Sequence, residues 1–265
     1  MKRNRRTESS LLLGLPDMAR EGGALAEETA SRAAAALAHF PGGDSWKKIL
    51  ADFAAEQKRK DMAWPGIAAL ILSGSEADIM RAAAKAQSTD LAMIRTPEEA
   101  YMYIPGLVLA ETKTGTRGKY HDLLQTLERI PVVTCDDLAL VMAAAVESME
   151  WMDQAVYEVY RGFQSAFEAD FARFAEESST DPKAPVSDAA ILFSSYAVLK
   201  ACRLGAVLTE KFAGQAEKNC AKIMRHADDS GDGLVYVTAA LVYAEGIRNR
   251  DYRDYGRKNG GVLWS

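Results

Sequence analysis

Between Leu138 and Phe174 the apolar residues Leu138, Met142, Ala145, Met149, Met152, Val156, Val159, Phe163, Phe167, Phe171 and Phe174 recur in steps of four and three. Residues at those separations share one face of an α-helix, whereas a strand, with its period of two, scatters them over both of its faces. The spacing predicts a single helix over about 135–177, about 60 Å long at 1.5 Å per residue. Consecutive steps of four at Phe167 and Phe171 break the heptad, so the stripe suits core packing in a bundle better than a continuous coiled-coil seam. Residues 178–187 contain Pro182 and Pro185 and have the length of a turn between antiparallel helices. A second stripe follows, formed by Leu192, Tyr196, Leu199, Cys202 or Arg203, Ala206, Leu208, Phe212, Ala216, Cys220 and Ile223. It predicts a return helix over about 187–227, in which Gly205 and Gly214 allow a bend or a close helix contact. The expected fold is all-α, a single bundle-like domain organised around a long antiparallel hairpin of 135–177 and 187–227.

The rest of the chain reads as shorter helices. One spans Asp17 to His39 and is stopped by Pro41, Gly42 and Gly43, and a second carries Trp46, Ile49, Leu50 and Phe53 on one face. Trp64 and Pro65 begin a short apolar helix to about Leu72, and Ser75 with Asp78 opens another. Thr96-Pro97-Glu98-Glu99 is a stronger start, with proline at the first helical position and acids in the first turn. Pro105 and Gly106 predict a break near Ile104, the glycines at 115 and 118 predict a loop over Thr112–Lys119, and a helix then covers His121–Ile130 before Pro131. A last helix is expected near Val235–Arg248. The domain plan is a basic tail over 1–16 and one all-α domain over 17–265. Within that domain, 17–130 holds the shorter helices, 135–248 the hairpin and last helix, and 249–265 a basic and aromatic segment.

With 265 residues, 48% of them apolar, the chain can bury a core without disulfides or structural metals. Cys135, Cys202 and Cys220 are few, widely spaced and without a C-x-x-C pair, which fits reduced thiols in the cytoplasm. The leucines at 11, 12, 13 and 15 follow basic residues, but Pro16 and Asp17 cut the run short of a secretory signal. No stretch reaches the ~20 apolar residues that cross a bilayer, so no membrane contact is expected. The net charge of −5 is unevenly placed. Lys2, Arg3, Arg5 and Arg6 make the start basic, and in the last twenty residues Arg248, Arg250, Arg253, Arg257 and Lys258 outweigh Asp251 and Asp254. The body between these ends is therefore acidic. Basic ends on an acidic body suit self-association, an acidic partner or a phosphate backbone, and solvated tails are the plain alternative.

Residues 228–235, Asp-Asp-Ser-Gly-Asp-Gly-Leu-Val, resemble the first two-thirds of an EF-hand calcium loop. The resemblance implies Asp228, Ser230 and Asp232 as ligands, with Gly233 at the sharp turn. The family's bidentate glutamate would fall at Ala239, however, and Glu245 lies six residues too far on, so the cage is incomplete. A polar turn between helices accounts for the same residues. His121-Asp122 resembles the paired ligands of the helical HD phosphohydrolases, which implies metal-dependent hydrolysis; the remaining histidines are His39 and His226, both distant in sequence. Residues 115–120, Gly-Thr-Arg-Gly-Lys-Tyr, lack the glycine spacing, the hydroxyl after the lysine and the preceding strand of a phosphate loop. Lys113, Arg117 and Lys119 nonetheless make that loop basic. The C-terminal segment interleaves Arg248, Arg250, Arg253, Arg257 and Lys258 with Tyr252 and Tyr255, a mixture that neutralises phosphates and stacks on bases and is equally favoured at protein interfaces.

The chain is thus rich in packing surface and poor in reaction groups. The leading expectation is a non-enzymatic helical interaction protein, such as an adaptor, an accessory subunit or an inhibitor, that binds another protein and needs no cofactor. A homo-oligomer is compatible with it. The alternative is an accessory nucleic-acid binder that uses the basic ends and the 113–119 loop, and the third reading is a metal-dependent hydrolase around His121 and Asp122.

Overall fold

The computed structural model describes residues 87–152, 156–180, 186–226 and 233–258, the last nine of these by their backbone alone. A short 3-10 turn at Leu91–Met93 precedes seven helices, and the described residues contain no strand: α1 Pro97–Thr114, α2 Tyr120–Arg129, α3 Cys135–Trp151, α4 Tyr157–Thr180, α5 Asp188–Arg203, α6 Thr209–Met224 and α7 Gly233–Lys258. The all-α class is as expected. The helices expected upstream of residue 87 lie outside the described residues.

Helix α1 starts where the sequence predicts. Thr96 Oγ1 accepts the Glu99 N–H at 3.2 Å and the Glu99 carboxylate accepts the Thr96 N–H at 3.0 Å, a reciprocal cap on two donors that the helix itself leaves unpaired. The expected break near Ile104 does not occur. Pro105 lies inside α1 and removes one backbone donor, yet the helix continues to Thr114 because Ile104, Leu107, Val108, Leu109 and Ala110 are all buried and their packing holds it. The turn is therefore shorter than the predicted 112–119 loop, and it begins at Gly115, whose φ of 71° is the left-handed conformation that glycine adopts without strain. Helix α2 then buries Tyr120, Leu123, Leu124 and Leu127, one face of a short helix.

Helix α3 begins with the same reciprocal cap, here between Thr134 and Asp137. It is buried almost all round, from Leu138 to Glu150, and packs against α1, α4 and α5. The predicted helix over 135–177 is in fact two. Met152 turns to an extended backbone conformation, and the carbonyl of Trp151 accepts a hydrogen bond from Thr112 Oγ1 of α1 at 2.7 Å. No glycine or proline marks this break in the sequence. The apolar spacing runs on across it, with Met149, Met152, Phe163 and Phe167 all buried, so periodicity alone does not distinguish one helix from two.

Helix α4 doubles back along α3: near its end, Arg173 Nη2 donates to the Val132 carbonyl just before α3 begins. Helix α5 then runs alongside α3 in the same direction, with Ser187 on Asp136 at one end and Lys200 on Glu150 at the other. The first expected arm thus folds on itself, and so does the second. Helix α5 ends in a Schellman turn, with the Ala206 N–H on the Ala201 carbonyl at 2.8 Å, the Gly205 N–H on the Cys202 carbonyl at 3.1 Å, and Gly205 at φ 70°. Helix α6 returns beside α5, where Asn219 Nδ2 meets Ser195 Oγ. Helix α7 packs on α5 and α6 and extends ten residues past the predicted end at Arg248.

Candidate functional site

The largest concentration of ionisable chemistry among the described residues lies inside the bundle, where α3, α5 and α7 meet. Each helix contributes a charged doublet at i, i+3, which helical geometry puts on one face: Glu147 and Glu150 on α3, Lys200 and Arg203 on α5, Glu245 and Arg248 on α7. All six are buried, and Glu147, Lys200 and Glu245 are 0% exposed.

The cations sit between the acids. Lys200 Nζ donates to Glu150 Oε2 and stands 2.9 Å from Glu147 Oε2. Arg203 uses its fork to join two helices, Nη2 reaching Glu150 Oε1 at 2.9 Å while Nε donates to Glu245 Oε1. Arg248 does the same from α7, with Nη2 on Glu150 Oε1 at 2.9 Å and Nη1 on Glu245 Oε2 at 3.2 Å. Tyr196 OH donates to Glu147 Oε1, and its ring lies 5.3 Å below the Lys200 ammonium. Asn249 Nδ2 donates to the Leu199 carbonyl at 3.1 Å, tying α7 to the backbone of α5.

Three carboxylates face three cations, so the cluster carries no net charge when every group is ionised. Burial alone would raise the carboxyl pKa values, because it penalises the charged form. At Glu150 the attraction of Arg203, Lys200 and Arg248 outweighs burial and holds the carboxyl well below the usual range. Glu245 is lowered too, burial being overcome by Arg203 and Arg248. The tyrosines shift the other way: burial first, then the Glu147 charge, pushes the Tyr196 and Tyr101 hydroxyls up, so both stay protonated and Tyr196 remains a donor. Tyr160 of α4 has a buried hydroxyl that burial pushes up to about 12, partly offset by Arg203. Glu150 and Glu245 held ionised, phenols held neutral and cations held between acids make an ionic cross-link between the three helices.

Of the residues singled out from sequence, Arg248 belongs to this cluster. Its guanidinium is committed to two buried carboxylates, which removes it from any exposed basic face. Lys113, Arg117 and Lys119 are exposed at the α1–α2 turn, where the Glu111 carboxylate accepts from Thr116 Oγ1 at 2.8 Å and from the Lys119 N–H. Arg250, Tyr252, Arg253, Tyr255, Arg257 and Lys258 lie on the helical backbone of α7. His121 and Asp122 are exposed on α2, with His121 Nε2 2.8 Å from Gln125 Nε2. Among the described residues no group of three or more His, Cys, Asp or Glu side chains is placed to hold a metal ion. Lys2, Arg3, Arg5, Arg6 and His39, together with the loop residues Asp228, Ser230 and Asp232, lie outside the described residues.

Arg203, Glu245 and Arg248 each stand out in the sequence for another reason, and nothing there brings them together. The cluster's signature was present, however: E-x-x-E, K-x-x-R and E-x-x-R, each embedded in a helical stretch of mainly apolar and small residues. No helix of the described residues is long and apolar enough to cross a membrane. No protein-family model, curated protein or solved structure matches the chain.

Proposed function

We propose that this chain is a non-enzymatic helical interaction protein, an adaptor, accessory subunit or inhibitor that offers a face of a rigid bundle to another protein. The observation that carries this reading is the closed ionic cluster. Its six charges are engaged with one another and shut from solvent, an arrangement suited to fixing three helices in place. Binding benefits from such rigidity, since a surface ordered beforehand loses less freedom on association. The free thiols Cys135, Cys202 and Cys220 fit a reducing cytoplasm as the place of action.

The test is purification from a lysate of the protein's own source at low and moderate salt, without nuclease. A protein retained at constant stoichiometry at both salts is the expected result, and its identity gives the process served. Nucleic acid that leaves as salt rises would replace this reading with the second one, nucleic-acid binding. That second reading is favoured by the continuation of α7 to Lys258, which spaces Arg250, Arg253 and Arg257 by three and four residues along one helix. Replacing those three arginines with alanine should then abolish the salt-sensitive complex, and a complex that survived the change would count against it.

A further inference from the structure

We infer that the six buried charges are a register lock: Glu245 and Arg248 fix where α7 lies along α5 and α3. The three helices bury repeated small side chains. Ala139 and Ala143 on α3, Ala197 and Ala201 on α5, and Ala240 and Ala244 on α7 are all buried, each pair four residues apart. Four residues are about one turn, so a slide of α7 by about 5.4 Å puts one alanine of its pair where the other had been. Small side chains let helices approach closely and specify position less sharply than the larger Leu241 and Val242 buried beside them.

The charges distinguish the native register from the slid one. The same slide draws Glu245 away from Arg203 and Arg248 away from Glu150, and takes Asn249 off the Leu199 carbonyl. Each separation leaves an ionised group buried without its counter-charge, which is far more costly than exchanging one alanine contact for another. Helix α3 supplies two acids, α5 two bases and α7 one of each, so complete pairing requires all three helices in a single arrangement. The lock therefore contributes uniqueness of structure in place of net stability. It stands whether or not the chain binds another protein.

Removing the α7 pair tests this cleanly, because the remainder stays balanced at two acids and two bases. The variant Glu245→Met, Arg248→Met, Asn249→Leu should keep the helix content of the wild type by circular dichroism. In a two-dimensional amide NMR spectrum, Val242, Ala244 and Gly246 should each give several or exchange-broadened signals, where the wild type gives one. Arg248→Met alone leaves an uncompensated buried carboxylate, so its Tm should lie about 5 °C or more below that of the triple variant. A triple variant with one sharp, wild-type-like set of α7 signals would overturn the inference. So would a triple variant that unfolds or is no more stable than Arg248→Met, since the cluster would then supply stability and not position.

Discussion

Lys200→Met keeps the length of the side chain and deletes its charge at the point where Glu147 and Glu150 converge. In the wild type the ammonium is 2.9 Å from Glu147 and hydrogen-bonded to Glu150, with no exposure to solvent. The variant leaves three carboxylates against two guanidinium groups. Glu150 keeps Arg203 and Arg248, while Glu147 keeps the Tyr196 hydroxyl. Removing one member of a buried ion pair costs about 3–5 kcal/mol. At about 2–4 °C per kcal/mol for a chain of this size, Tm should fall by roughly 6–20 °C, read by thermal unfolding in the far ultraviolet. The loss should depend on pH with a definite sign. Surplus negative charge raises a folded-state carboxyl pKa in the variant above its unfolded value of about 4.3, so that group stabilises the fold at low pH and ceases to as pH rises through the raised value. The wild type behaves oppositely: Glu150 and Glu245 are lowered, so their contribution is present above the ordinary carboxylate range and is lost as pH falls through the lowered values. The two proteins should converge on acidification. A deficit below about 1 kcal/mol, or one equal at about pH 4.5 and about pH 8, would refute an ionic role for Lys200.

Gly214 is exposed in the interior of α6, and a Cβ there meets nothing within 4 Å, so Gly214→Ala should stabilise the protein by about 1 kcal/mol in urea unfolding. Gly205→Ala should instead destabilise it by about 1–2 kcal/mol in the same assay, because the Schellman turn requires φ near 70°. Of the three thiols, Cys202 and Cys220 are buried, and burial, then the Glu217 charge, pushes Cys220 up to about 12; only Cys135 is partly exposed. Titration with an aromatic disulfide at about pH 8 should therefore modify one thiol in the native protein, Cys135, and all three after unfolding.

Helix class and several helix starts were legible in the sequence because they rest on local chemistry. Thr96, Pro97 and Glu99 cap α1 through atoms three residues apart, and the apolar steps of three and four report helix wherever it continues. Helix ends that depend on distant residues were not legible. The break after Trp151 coincides with a hydrogen bond from Thr112, thirty-nine residues away, and α1 persists through Pro105 with buried residues on both sides of it. The fold-back of α4 on α3 follows from that unmarked break. The ionic cluster was hidden for a related reason: a single charged residue in an apolar helix reads as a solvated face, and only the meeting of α3, α5 and α7 shows that six of them face inward together. Arg248 illustrates the point, since its neighbours in sequence suggest a basic surface and its neighbours in space are two buried carboxylates.

The most direct measurement is the ionisation of the buried glutamates themselves, followed by carboxyl carbon NMR on protein labelled at glutamate. Glu150 and Glu245 should remain ionised as pH falls through about 4.3, the value near which exposed glutamates take up protons. Protonation of either at or above that value would mean that the core carboxyls are not held by Lys200, Arg203 and Arg248, and the ionic cross-link on which the proposed interaction function rests would be contradicted.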